Sequence, residues 1–168
     1  DVILKMLSIA GVKGGKGKIF EYTGPGVASI SLTERATITN MGAEMGASTS
    51  VFPSDERTRD YLQSRGRGGD YQPLAADEDA RYAERIDIDL SDLEPLIAIY
   101  PSPGNVEKIS EHVGTPINQV CVGSCTNSSF ENIASFAELL KGRRVAVDTL
   151  LYPGSRAVAM QLANSGYM

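Results

Sequence analysis

Residues 119–155 read QVCVGSCTNSSFENIASFAELLKGRRVAVDTLLYPGS, and their pattern decides the fold class. Gln119-Val120-Cys121-Val122 is a short apolar run that predicts a buried strand. Gly123-Ser124-Cys125-Thr126-Asn127 follows as a loop of small residues. Ser128 with Glu131 predicts a capping box. The helix it opens carries Phe130, Ile133, Ala134, Ala137 and Leu140 on one face and stops at Gly142. Residues 144–147 predict the next strand, and Pro153-Gly154-Ser155 leads into a helix with Val158 and Leu162 on one side. Strand, loop, helix, strand, helix is the order of a parallel α/β layer. The expected fold class is therefore α/β, with parallel or mixed sheets flanked by helices. Chemistry in such folds gathers in the loops after the carboxyl ends of strands, and Cys125 lies in one of them.

The same reading extends upstream. Val2, Ile3, Met6, Leu7 and Ala10 recur at helical spacing before Gly11. Residues 18–22 predict a strand, Thr23-Gly24-Pro25-Gly26 a turn, and residues 31–46 one continuous helix. The small residues Ala36, Gly42, Ala43 and Gly46 on that helix predict the close approach of another backbone. Residues 49–52 predict a strand and Asp55 a cap for a helix over 56–64, stopped by Gly66. Residues 66–84 are polar and read as a solvated excursion. Residues 85–90 alternate as an edge strand does, and residues 96–100 form an apolar run that predicts a buried strand. Pro101-Ser102-Pro103-Gly104-Asn105 is the expected linker. It divides the chain into lobes over residues 1–100 and 101–168.

Composition narrows the class. The 168 residues are 42% hydrophobic and 22% charged with a net charge of −5, which suits a globular protein and offers no basic surface for nucleic acid. The opening apolar stretch is short and begins with Asp1, so it reads as neither a signal peptide nor a membrane span. Two cysteines, Cys121 and Cys125, do not make a secreted disulfide framework, and the expectation is a reduced, cytoplasmic protein.

Three constellations carry chemistry. Cys125 follows Gly123-Ser124 and precedes a helix start, where orphan N–H groups favour an anion. A thiolate there can ligate a metal or an iron–sulfur cluster, or act as a nucleophile. Cys121, between Val120 and Val122, reads as a small core residue. Asn40 and Glu44 stand four apart on the expected helix and so share a face. There they would hold a water or a hydroxyl-bearing ligand, or simply be solvated. Lys13-Gly14-Gly15-Lys16-Gly17-Lys18 resembles a phosphate-binding loop, but Ile19 occupies the hydroxyl position and a strand follows instead of a helix. A basic turn is the better reading. His112, the only histidine, lies in a charged stretch and reads as a surface residue.

Four ordered stretches also carry a resemblance. Glu21-Tyr22-Thr23-Gly24-Pro25-Gly26-Val27, Ala36-Thr37-Ile38-Thr39-Asn40-Met41-Gly42-Ala43-Glu44, Thr49-Ser50-Val51-Phe52-Pro53 and Val122-Gly123-Ser124-Cys125-Thr126-Asn127-Ser128 resemble the aconitase family in content and order. The resemblance implies three-layer α/β lobes and a 4Fe–4S hydro-lyase. Three cysteines would hold the cluster and an open iron would act as Lewis acid in converting citrate to isocitrate through cis-aconitate. Cys125 matches the first cluster ligand, Glu44 the carboxylate that meets the departing hydroxyl, and Asn40 an amide near the same iron. The family's other two ligands match no residue here. The resemblance thus implies an internal piece of a longer chain, inactive and without a cluster by itself. Its partners would be the remaining domains and a small tricarboxylate, with no nucleic acid and no membrane. The related dehydratases of 3-isopropylmalate and homoaconitate share the cysteine signature. Their helix motif usually departs from that of Asn40 to Glu44, so the resemblance leans to the citrate enzyme, with those dehydratases as the alternative. A nucleotide-binding protein using Lys13 to Lys18 is the rival from another class.

Overall fold

A run of apolar side chains at helical spacing begins the first element. In the computed structural model, which describes residues 1–167, α1 spans Val2–Ala10 and ends at Gly11, whose φ of 67° only glycine adopts readily. Ile3, Met6 and Leu7 from α1 are buried with Ile38 and Met45 in one core cluster. Strand β1 (Ile19–Glu21) pairs in parallel with β2 (Thr49–Val51), Phe20 opposite Ser50. Between them α2 spans Leu32–Asn40. Its capping box is complete: Ser31 Oγ accepts from the Glu34 N–H and Glu34 Oε2 accepts from the Ser31 N–H.

The continuous helix expected over 31–46 is broken. The α-helix stops at Asn40, and Met41–Met45 continues as a tighter 3-10 turn that ends at Gly46 with φ 72°. Helix α3 (Glu56–Ser64) starts as expected, with Asp55 Oδ1 accepting from the Thr58 N–H. The excursion that follows is exposed. Residues 85–90 alternate as read, Ile86 and Ile88 packing on the core cluster, but they join no ladder.

Two further expectations fail here. The apolar run at 96–100 is not a buried strand. It gives β3 (Leu96–Ala98), an exposed or half-buried strand paired antiparallel with β4 (Val106–Lys108). The expected linker is the turn of that hairpin, closed by Ile99 N–H to Asn105 O at 2.8 Å and Asn105 N–H to Ser102 O at 3.0 Å. The chain divides later, into compact units Asp1–His112 and Val113–Met168.

The second unit holds β5 (Gln119–Val122), α4 (Phe130–Leu140), β6 (Asp148–Leu151) and α5 (Arg156–Asn164). Strands β5 and β6 are parallel, Gln119 opposite Asp148 and Val122 opposite Leu151. Residues 144–147, expected as the strand, precede it, because the ladder begins only where β5 supplies a partner. The cap of α4 is Ser129 with Asn132, one residue past the expected pair. Ser128 is buried against Gly154 instead, which leaves the next serine to cap. Both strands have one face exposed, so Cys121, expected in the core, is exposed. The α/β class holds, but as three two-stranded sheets among the described residues. No helix among them is long and apolar enough to cross a membrane.

Candidate functional site

In the first unit, three of the four motif stretches converge. Tyr22 continues β1, donating its N–H to Val51 O at 3.0 Å, and its ring stacks on Phe52 with centroids 4.7 Å apart. Gly42 lies over β2, where an added Cβ would be 2.4 Å from Ser50 Oγ. The small residues of this segment thus do serve a close approach, to a serine hydroxyl at Gly42 and to another stretch of backbone at Gly46, where an added Cβ would lie 3.5 Å from Val12 O. Tyr22 Oη and Ser50 Oγ are both buried and lack a hydrogen-bond partner among the described residues. The two hydroxyls are close enough for Ser50 to oppose slightly the shift of the phenol. Burial dominates and pushes the Tyr22 pKa up to about 12.

Arg35 holds this assembly from below. Its side chain is 2% exposed, and it donates to Ile30 O, Val27 O and Pro53 O and to both carboxylate oxygens of Asp55, at 2.9 and 2.6 Å. Its guanidinium also lies 5.7 Å from the Phe52 ring centroid. One cation therefore ties the turn after β1, the start of α2, the end of β2 and the cap of α3. The hydrogen bonds from Arg35 hold the Asp55 carboxyl below its ordinary range.

Over Gly42 opens a shallow depression of about 400 Å³ lined by Ala36, Thr39, Asn40, Ala43, Ser48 and Ser50, among others. Asn40 lines it, and Glu44 does not. A 3-10 turn has about three residues per turn, so four residues rotate a side chain by about 120° instead of the about 40° of an α-helix. The face that Asn40 and Glu44 were expected to share is therefore turned apart. Glu44 is exposed, and its carboxylate takes no hydrogen bond or ion pair among the described residues.

The basic turn is not a phosphate cradle. Gly14, Gly15, Lys16 and Lys18 spend their N–H groups on Gly11 O, Met45 O, Lys13 O and Gly15 O. Lys18 Nζ is paired with Glu84 at 2.6 Å. His112 is tied to Glu107 at 2.6 Å, a local pair near the surface.

In the second unit, Cys125 is exposed in the loop after β5 and in no disulfide. Its Sγ lies 3.7 Å from Ser124 Oγ and 3.8 Å from Thr126 Oγ1. Ser124 holds a φ of 72°, unusual for a residue other than glycine. An exposed thiol in a bent loop suits one ligand of a cluster. No group of three or more His, Cys, Asp or Glu side chains converges among the described residues, so these residues alone do not make a cluster site.

The aconitase (aconitate hydratase) family model matches residues 1–168. The chain belongs to the aconitase family. Among its relatives is the 3-isopropylmalate dehydratase large subunit 2 of Rubrobacter xylanophilus, 41% identical over 99% of this chain and 39% of the relative. The 2,3-dimethylmalate dehydratase large subunit of Eubacterium barkeri is 39% identical over 100% of this chain and 40% of its own length. A probable methanogen homoaconitase large subunit of Methanosarcina mazei is 35% identical over 100% and 43%. The chain thus spans about two fifths of the length of these relatives. They belong with the alternative reading of the sequence, not with its lean toward citrate.

Pattern reading missed Arg35 and Ser50. The signal for Arg35 was indirect: an acid at Asp55 after the Val51-Phe52-Pro53 stretch needs a buried partner only if the chain folds back on α2. For Ser50 it was a hydroxyl in mid-strand facing a glycine.

Proposed function

We propose that the whole protein is a dehydratase that removes water from, and returns it to, a substituted malate, in the manner named for its relatives. The observation that carries this reading is the end-to-end match of the chain to three dehydratase-type large subunits at 35–41% identity. A small subunit is the corresponding partner, since each of those relatives is named a large subunit. Citrate is the less supported substrate.

Cys125 would supply one thiolate to a 4Fe–4S cluster whose remaining ligands lie outside this chain. When bound, such a cluster offers a Lewis-acidic iron to a hydroxyl and a carboxylate. Glu44, exposed and without an internal partner, is the group available to give a proton to a departing hydroxyl and to take it back. Asn40 presents an amide to the depression over Gly42 and can donate to a carboxylate or accept from a hydroxyl. Ser50 lies directly against Gly42 beneath that turn.

The test is hydration of isopropylmaleate, dimethylmaleate, cis-homoaconitate and cis-aconitate by the full-length protein with its small subunit, loaded anaerobically and followed by loss of the unsaturated acid's absorbance. Turnover of an alkyl-substituted maleate is expected. Glu44→Gln should lower it by about 10²–10⁴-fold with the fold intact, and Cys125→Ser should abolish cluster retention. Hydration of cis-aconitate alone would restore the citrate reading, and hydration of none would overturn the assignment.

A further inference from the structure

We infer that the backbone of Tyr152-Pro153-Gly154, just past β6, is the device that positions the Cys125 loop. This rests on the reading of Cys125 as a ligand, but its geometry stands on its own. The loop leaves β5 at Gly123 and reaches α4 at Ser128. Both ends are gripped by the same three residues. At the first end Tyr152 donates its N–H to Val122 O at 2.8 Å, and a Cβ on Gly123 would lie 2.3 Å from Tyr152 O. At the other end Gly154 donates its N–H to Ser128 O at 3.1 Å, and a Cβ on Gly154 would lie 2.1 Å from Ser128 Oγ. Ser128 is only 7% exposed, whereas the Tyr152 side chain is 56% exposed. The grip is therefore made by main chain, the two glycines and the buried Ser128 hydroxyl, not by the Tyr152 ring.

Between these anchors the loop is bent by Gly123 at φ 137° and Ser124 at φ 72°, and it carries Cys125 outward. Fixing both ends of a short loop removes most of the conformers that would point the thiol elsewhere. The contacts of Tyr152 and Gly154 fall on Val122, Gly123 and Ser128, the ends of the loop, so they are positioning residues that act through those ends. A side chain at either glycine would strike its partner, Ser128 Oγ at Gly154 and the Tyr152 carbonyl at Gly123, so the close approach at both ends of the loop requires glycine.

The experiment compares Gly154→Ala with the double variant Ser128→Ala/Gly154→Ala, both in a Cys121→Ala chain where Cys125 is the single thiol. In the metal-free chain, Gly154→Ala should change the alkylation rate of Cys125 by about threefold or more and mobilise a nitroxide attached there. The double variant, which removes the clashing hydroxyl, should return both toward the Cys121→Ala values. In the full-length protein with Cys121 retained, iron retention should weaken about 10-fold or more in Gly154→Ala and recover in the double variant. Unchanged thiol kinetics and label mobility in Gly154→Ala would overturn the proposal. So would rapid, peptide-like exchange of the Tyr152 and Gly154 amide protons in the Cys121→Ala chain, a measurement that needs no variant at the grip to fold. Altered thiol behaviour in the metal-free chain, with no iron bound by any full-length form, would uphold the grip while refuting the ligand role of Cys125.

Discussion

The unit Asp1–His112 buries Ile3, Met6, Leu7, Ile38 and Met45 together and also buries a cation, Arg35, bonded to three carbonyls and to Asp55. In the unit Val113–Met168 only Ile133 and Leu162 are buried among the apolar side chains described, while Leu139, Tyr152 and Met160 are 71%, 56% and 54% exposed. Both units use the same elements, short parallel strands joined through a capped helix. What differs is how much side chain the helices bring to the sheet. A strand pair is marginal by itself and needs a packed face, so the first unit is expected to carry the chain's stability and the second to open locally at lower cost.

The largest effect that can break this contrast comes from the buried cation. Arg35→Ala leaves the Asp55 carboxylate and three carbonyls without their donor, and should cost the first unit about 3–5 kcal/mol in urea denaturation. Arg35→Lys should not rescue it, because an ammonium cannot reproduce the planar fork. A loss under 1 kcal/mol would mean that water replaces the guanidinium.

Leu7→Ala and Leu162→Ala come next, since both side chains are 0% exposed. Each deletion should cost about 2–5 kcal/mol, with Leu7 at the upper end, where the surrounding cluster is denser and collapses less. Amide exchange read unit by unit checks it. Equal losses, or slower exchange in α4 than in α1, would contradict the contrast.

Titration should sharpen it further, because the shifted groups that are partly buried side chains both lie in the first unit. Asp55 is held below its ordinary value of 3.8, so its contribution is present above that pH and fades as pH falls through the folded value. Tyr22 is raised to about 12 from 10.0, so its contribution is present below pH 10.0 and fades as pH rises through about 12. Chemical denaturation followed at both extremes should show the first unit losing stability. Asp55→Asn should flatten the acid limb and Tyr22→Phe the alkaline limb.

The smallest effect is a matched pair of caps. Ser31→Ala and Ser129→Ala should each cost about 1 kcal/mol. Ser31 should cost slightly more, because its box partner Glu34 is an ionised acceptor near a helix N-terminus and Asn132 is neutral. Circular dichroism melts of the two variants give the comparison.

Features set by neighbouring residues were legible from the chain itself: α1 and its glycine stop, the Asp55 cap, α4, and the turn nature of residues 13–18. Features set by a distant partner were not. β6 begins where β5 allows, and Ser128 is buried by Gly154, so the strand and the cap both fell beyond their expected places. Cys121 looked like core because its neighbours are valines, yet the small sheet exposes that face. The face shared by Asn40 and Glu44 failed because Gly42, pressed on Ser50, tightens the helix just after Asn40. Arg35 escaped because an arginine in a polar helix ordinarily reads as surface.

Arg35 has one more consequence. Three of its acceptors are main-chain carbonyls, at Val27, Ile30 and Pro53. Carbonyls do not change when side chains do. The residues around this guanidinium can therefore drift freely in identity so long as the path of the chain is kept, whereas the arginine itself has no substitute. Distant relatives should show variable neighbours around an invariant centre.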